Sequence, residues 1–549
     1  MIDVNEETAS HIIEGLLGPA GITPARIEFK NFPDEVNVLV YVSPADFLSL
    51  VEMSDTIENA LKSAFGVTYF LVVRKSGTNE VAAAPKFEGM QDPKVAELLR
   101  LISAKSRVSS AEPSLVYVPD ARASLSTVTA SRHHLVFGRR GAGKSALLME
   151  ARRQIVSEAA IDSWTNIQTL RHETPQRVFL FVIADVLSSV MAGRRTVSPR
   201  SSLTLAVNEM HEQIRSMLSR DETSIEEAQR VVPRVQRALS AFLDIEGRRV
   251  VVFVDDFYYM PRDAQPTILD MLHGAFRDAN IWMKIASIRH LTNWWQASPP
   301  TGLQSGQDAD LIDLDVTLQD PEKASEFLEG ILAEYARRVG IPTLARIFNR
   351  SALDRLVLAS GAVPRDYMVL AVSAINRALR RPKARATGVQ DVNQAAGDAA
   401  SAKINELEED MAANSGVAER TLATLAAVRD FCLNEQSFTY FLVGYRDKEA
   451  APKLYSLLTD LMDVRLIHLI DSGVSDAHEA GSRSEAYMLD LSQFSGSRLK
   501  QNITVLDFED GHFVSKLTRS KEAPQRGSTS LQLIGILRRG PVLPLARLS

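Results

Sequence analysis

A chain of 549 residues is too long for one hydrophobic core, and its 45% hydrophobic and 24% charged residues are those of an ordinary globular protein. A net charge of −6 gives no global reason to expect nucleic acid or an anionic membrane, so any DNA contact needs a local basic patch. One cysteine, Cys432, excludes disulfides within the chain and cysteine-based zinc sites, and fits a reducing compartment.

In chain order, Met1 to Glu14 carry acids where a signal peptide needs a basic and then an apolar segment, so a cytoplasmic location is expected. Residues 1–80 alternate helix and strand patterns: a helix at Ala9 to Leu17, strands near Arg26 to Phe29 and Val36 to Tyr41, a helix near Ile57 to Phe65 and a strand at Thr68 to Val73. They predict a small α/β module. Residues 81–112 read as linker plus a short helix, Val95 to Ala104. From 113 to 310 the pattern is that of a nucleotide-binding α/β domain. It holds a strand or turn at Leu115 to Pro119, a strand at His134 to Phe137, a helix through Ala146 to Ser157 and a second strand near Thr165 to Leu170. Helices fill 176–245, and buried strands follow at Arg249 to Val254 and Trp282 to Ile288. Apolar strands separated by helices predict a parallel sheet covered on both faces. The longest apolar run, Val178 to Gly193, contains Asp185 and reads as a buried helix, so no membrane contact is expected. Residues 311–402 read as a helical lid, 403–415 as an acidic helical connector, 416–498 as a winged-helix-like domain and 499–549 as an irregular tail.

The strongest signal is Gly138-Arg139-Arg140-Gly141-Ala142-Gly143-Lys144-Ser145, a complete G-x-x-x-x-G-K-S pattern between an apolar strand and a helix. Its glycines let backbone N–H groups surround phosphate oxygens, and the helix beginning at Lys144 points its positive end at them. Lys144 adds a charge at the β and γ phosphates of ATP, and the Ser145 hydroxyl is a Mg²⁺ ligand. The strand Val250 to Val254 runs into Asp255 and Asp256. There Asp255 is placed to hold Mg²⁺ and Asp256 to orient or activate the attacking water. Arg289, at the tip of the next strand, is either a γ-phosphate contact or a solvated strand end. Arg277 closes the helix Pro266 to Phe276, as an arginine finger for a neighbouring subunit or as a surface cation suited to the helix dipole. Arg365, after Gly361 and Pro364, either closes the lid over the phosphates or simply begins an exposed helix.

With these five elements in order, the chain resembles the AAA+ and STAND superfamily of P-loop ATPases, in layout that of origin-recognition-complex-like ATPases. The resemblance covers residues 113–400 and extends through the winged-helix pattern to 498. It implies Walker A at Gly138 to Ser145, Walker B at Asp255 and Asp256, sensor 1 at Arg289 and sensor 2 at Arg365. Two departures stand out: Asp256 where vigorous AAA+ hydrolases usually have Glu, and Arg289 where they usually have Asn. Both imply slow turnover and a switch between ATP and ADP states.

Two functions follow from this reading. One is an ATP-dependent switch that forms homo-oligomers on ATP binding and meets a protein partner through its N- or C-terminal module. The other is a DNA-associated ATPase of the initiator or transposition-helper kind. Charge disfavours DNA on the winged-helix-like domain, because residues 416–498 carry 12 acidic against 8 basic side chains. The expected recognition helix, Pro452 to Met462, offers Lys453 alone, and the wing tip carries Asp476 and Glu479 beside Arg483. DNA affinity is expected instead from Arg519, Arg526, Arg538 and Arg539 of the tail, or from a composite surface of oligomers.

Overall fold

The computed structural model describes residues 6–20, 22–31, 35–43, 46–75, 87–104, 117–119, 122–382, 384–411, 417–475, 482–494, 502–518 and 523–548. Most of the expected linker, the expected strand or turn at its Leu115 end, the wing tip with Asp476 and Glu479, and Arg519 lie outside the described residues. The chain divides into two units, Met1–Lys86 and Phe87–Ser549.

In the first unit, α1 (Glu6–Leu17) precedes β1 (Arg26–Asn31) and β2 (Glu35–Val42), then come α2 (Phe47–Glu52), α3 (Ser54–Phe65) and β3 (Thr68–Lys75). The sheet runs β1-β2-β3, with β1 antiparallel and β3 parallel to β2. Strand alternation sends Val36, Val38, Val40 and Val42 to one face, where they pack with Ile13, Leu17, Ile57 and Leu61.

The second unit opens with α4 (Pro93–Ala104), at the place of the expected short helix, which buries Val95, Leu98 and Ile102 in the core of the downstream helices. After α5 (Ser124–Val128) come β4 (His133–Phe137), α6 (Lys144–Ser157), β5 (Ile161–Asn166), α7 (Pro175–Ala192), α8 (Ser202–Leu218), α9 (Ile225–Glu246), β6 (Val250–Asp255), α10 (Gln265–Phe276) and β7 (Ile281–Ser287). A small hairpin, β8 (Trp295–Ala297) with β9 (Pro300–Gly302), precedes β10 (Ala309–Asp313). The five-stranded sheet is parallel throughout, in the order β10-β4-β7-β6-β5. Its interior strands β4 and β6 are buried at every position, including the polar His133 and His134 that open β4 and the Asp255 that ends β6.

The edge strand β5 lies at 161–166 and not at 165–170. Its side chains alternate between buried and half-buried, and residues 167–170 form a turn whose first N–H groups are capped by Asn166. By length and composition α7 is apolar enough to cross a membrane, and eight of its side chains, from Val178 to Val190, are buried within the domain.

Four helices follow: α11 (Pro321–Arg338), α12 (Arg350–Ser360), α13 (Pro364–Leu379) and α14 (Val389–Met411), the last running through most of the expected connector. Next come α15 (Val417–Arg429), β11 (Tyr440–Gly444), α16 (Tyr445–Ala450), α17 (Pro452–Asp463), β12 (Ile467–Ser475) and β13 (Arg483–Leu489), with sheet order β11-β13-β12. The final residues depart from the irregular tail of the sequence reading. They form the hairpin β14 (Thr504–Glu509) and β15 (His512–Leu517), then β16 (Gln525–Gly527) and α18 (Ser530–Leu537). The hairpin turns at Asp510 and Gly511, whose φ values of 50° and 83° make the left-handed pair that a two-residue hairpin loop needs.

One buried cation marks the end of the sheet away from the strand tips. Lys284 of β7 is fully buried; its Nζ donates to the carbonyls of Ala130 and Arg132 at 2.7 Å each and lies 2.9 Å from His134 Nδ1. Burial, aided by the Arg249 charge, pulls the ammonium from 10.5 down to about 7. Between those values the unfolded chain holds a proton that the folded chain has lost, so this group makes stability rise with pH across that window. Lys284→Met is expected to cost about 2–4 kcal/mol near neutrality by stranding two carbonyls. Its deficit against the wild type should widen as the pH is raised above about 7, which urea midpoints across that range will show.

Candidate phosphate-binding site

The loop 138–143 leaves the buried end of β4 and enters α6 at Lys144. Gly141 and Gly143 have φ of 80° and 102°, in the region that glycine alone enters cheaply. Lys144 is buried, and its Nζ donates to the carbonyls of Gly138 at 2.8 Å and Arg139 at 3.2 Å. Burial pulls its ammonium below the usual lysine value against the opposing charges of Asp256, Asp315 and Asp255.

Across the sheet, β6 ends at Asp255, whose carboxylate is hydrogen-bonded to the Ser145 side chain. Burial, and then the Asp256 charge, raise Asp255 to about 6. A hydroxyl and a carboxylate side by side are hard oxygen donors of the kind Mg²⁺ takes, so Ser145 and Asp255 fit that ion and would hold it. Asp256 turns the chain with φ of 57°, and its Oδ2 accepts a 3.4 Å hydrogen bond from Asn166 Nδ2 at the end of the adjacent β5. The Asn166 Oδ1 is itself taken by the Gln168 N–H at 2.8 Å, which fixes the amide's direction. Asn166 did not emerge from the sequence; its only signal is that it ends the strand paired with Asp255.

The outer side of the loop is bonded to the helical part of the chain. The Arg139 N–H donates to Asp315 at 2.8 Å, and its guanidinium donates to the carbonyls of Val316 at 2.8 Å and Gly361 at 3.3 Å. Arg139 therefore faces the helices, where the motif alone would list it among phosphate-contacting positions. The Arg365 N–H donates to the Gly141 carbonyl at 3.3 Å, and a Cβ on Gly141 would stand 2.7 Å from the Arg365 Cβ. On the far side of the same turn, a Cβ on Gly361 would overlap the His468 ring. His468 Nε2 lies 2.8 Å from Asp490, Lys403 donates to Asp490 at 2.9 Å, and Arg465 pairs with Asp366 at 2.8 Å. Burial holds His468 below its usual value. Burial opposes ionisation of Asp490 too, but the Lys403 charge and the His468 bond hold it as a carboxylate, well below the usual range.

The two other arginines singled out by the sequence have different surroundings. Arg289 sits in the turn after β7, its guanidinium 3.7 Å from Asp313 and 5.9 Å from the Phe137 ring, which also packs 5.2 Å from Trp294. Arg277 closes α10, and its carbonyl accepts a 3.0 Å bond from Gln236. Since α10 runs away from the Asp256 turn for 12 residues, Arg277 lies about 18 Å along that helix from its own subunit's loop end.

A strand, a glycine-rich loop closing on a helix that begins with Lys-Ser, and an acidic strand tip two strands away in one parallel sheet decide the fold. It is a P-loop NTPase fold. No family model matches the chain, and neither does any curated protein. Among solved structures, the chain is similar to Cdc6p from Pyrobaculum aerophilum, at 12% identity over 75% of this chain and 94% of that one, with a TM-score of 0.28. The RuvB Holliday junction branch migration motor of Thermotoga maritima is similar at 12% identity over 58% of this chain and 76% of that one, TM-score 0.27. A signal-transduction ATPase with numerous domains and a tetratricopeptide repeat sensor, from Pyrococcus horikoshii, is similar at 14% identity over 69% of this chain and 42% of that one, TM-score 0.25. These are distant likenesses, and the P-loop NTPase fold is read from the sheet and loop themselves.

The tight seat of Gly141 gives a test of the site. Gly141→Ala adds left-handed strain and an overlap with Arg365, whereas Gly143→Ala, with open space around it, adds strain alone. Both are expected to weaken nucleotide binding by about tenfold. Only Gly141→Ala should also lower the thermal midpoint of the helical part through its contact with Arg365, as calorimetry of the two variants will show.

Proposed function

We propose that the protein is an ATP-binding, slowly hydrolysing ATPase of the AAA+ and STAND kind, acting as a nucleotide-dependent conformational and assembly switch. The observation that carries this is the stitching of the loop to the turn 361–365, through Arg139 to the Gly361 carbonyl and Arg365 N–H to the Gly141 carbonyl. A loop that reshapes around phosphate changes those bonds, and the next residue, Asp366, is paired with Arg465 beyond the four helices. Nucleotide state is thereby felt in the C-terminal part.

In this reading the loop amides bind the phosphates, and Lys144 exchanges its carbonyl partners for phosphate oxygens. Mg²⁺, when bound at Ser145 and Asp255, supplies charge neutralisation to the phosphates. Asp256, aimed by Asn166, orients the attacking water. The shorter acid at this position is the reason for slow turnover, and Arg277 is the group offered to a neighbouring subunit. Residues 416–498, with their acidic excess, serve as a protein-contact or autoinhibitory module and not as a DNA grip. A gel shift with the full chain and a variant lacking the basic residues Arg526, Arg538 and Arg539 assigns any DNA affinity that is found.

Lys144→Ala is expected to lower ATP affinity by at least tenfold, because it removes the cation that reaches both the β and γ phosphates. Labelled-ATP binding at wild-type strength by this variant would rule the site out. Asp256→Asn should bind normally and lose most turnover, while Asp255→Asn should lose the Mg²⁺ dependence of binding. Identical behaviour of the two, by titration and phosphate release, would refute this division of roles.

A further inference from the structure

Tyr258 lies two residues beyond Asp256, in a short turn whose first member, Phe257, is anchored in the core. The left-handed step at Asp256 folds this turn back over the phosphate-binding loop. As a result the Tyr258 ring stands 5.4 Å from the Arg140 guanidinium carbon and 6.0 Å from Lys144 Nζ. Tyr259 stacks on Tyr258 at 4.6 Å with 29° between the rings, which fixes the plane that Tyr258 presents. Burial, and then the Asp256 charge, push the Tyr258 hydroxyl up, so the ring is neutral and its face is the feature the two cations meet.

The two adjacent arginines of the loop are thus parted. Arg139 turns out to Asp315, Val316 and Gly361, while Arg140 turns in to Tyr258, on the side of Lys144 and the two aspartates. That side is where the terminal phosphate of a nucleoside triphosphate would lie, since the loop lysine reaches the β and γ phosphates and the strand-end carboxylate holds their metal ion. We propose that Tyr258 is a positioning residue that holds the Arg140 guanidinium beside Lys144, so that a triphosphate meets two cations where a diphosphate meets one. Tyr258 then sets the preference for ATP over ADP without touching either nucleotide's base or sugar. The inference rests on the reading of this loop as an ATP site.

The test is calorimetric titration of the full chain with MgATPγS and MgADP, for the wild type, Tyr258→Leu, Tyr258→Phe, Arg140→Ala, the Tyr258→Leu/Arg140→Ala double variant and Lys144→Ala. Tyr258→Leu and Arg140→Ala are each expected to weaken ATPγS about tenfold and ADP less than about twofold. The double variant should be no worse than either single one, because both changes remove the same interaction. Tyr258→Phe keeps the ring face and should restore the wild-type ratio of the two affinities. An unchanged ratio in Tyr258→Leu, additive losses in the double variant, or a Tyr258→Phe variant that behaves like Tyr258→Leu would overturn the role of the ring. Failure of the underlying ATP site looks different: neither nucleotide binds the wild type, or Lys144→Ala binds both as well as the wild type does.

Discussion

The glycine-rich loop 138–143 is held in place by Arg139. One side chain, 12% exposed, reaches Asp315 after the last strand of the sheet, the Val316 carbonyl beside it and the Gly361 carbonyl between two helices. Hydrogen bonds from a charged donor in a partly buried setting are among the stronger ones a protein makes. Here they join segments more than 170 residues apart in the chain. The outer side of the loop is therefore committed to the helical turn, and only its inner side is left to face a ligand. Arg365 adds a further tie, its N–H bonded to the Gly141 carbonyl and its side chain filling the space that a Cβ on Gly141 would need.

What lies beyond that turn is polar and dry at once. Lys403, Arg465, His468, Asp490 and most of Asp366 are buried together, where each charge gives up water that its partner only partly replaces. Such a cluster adds little to stability compared with apolar packing of the same volume, but it tolerates one arrangement only. Shifting the C-terminal part by a residue would leave a lysine or a carboxylate alone in a dry space. The cluster sits where Gly361 meets the His468 ring, next to the turn that Arg139 grips.

The parts of this arrangement that sequence discloses are the local ones. Gly138 to Ser145 and the valine run into Asp255 can be read directly, because loop conformation, helix start and strand burial are each set by neighbours in the chain. The edge strand at Ile161 to Asn166 lies earlier than its sequence pattern suggests because its polar and apolar side chains alternate between faces, while Ile167 and Leu170 carry the apolar signal on into the following turn. The hairpin at 504–517 carried a readable sign, Asp510-Gly511 between alternating residues, that the surrounding Arg, Ser and Pro masked. The partners of Arg139 and the neighbour of Asp256 are set by tertiary contacts between 90 and 222 residues apart. No local pattern carries that information, and the winning principle is packing of distant elements over motif habit.

The four tryptophans of the chain, Trp164, Trp282, Trp294 and Trp295, all fall within the sheet domain or its hairpin. Trp294 packs on Phe137, the residue immediately before Gly138, and Trp164 stacks on Phe253 two residues before Asp255. The protein thus carries optical reporters of its own beside the strands that lead into Gly138 and Asp255, while everything from Gln296 to the C-terminus and the whole first unit is dark at tryptophan wavelengths. Trp282, packed on His133 at the far end of the sheet, and Trp295 in the hairpin add emission of their own, so replacing them by phenylalanine would leave the signal to the two strands that lead into the loop and the acidic tip.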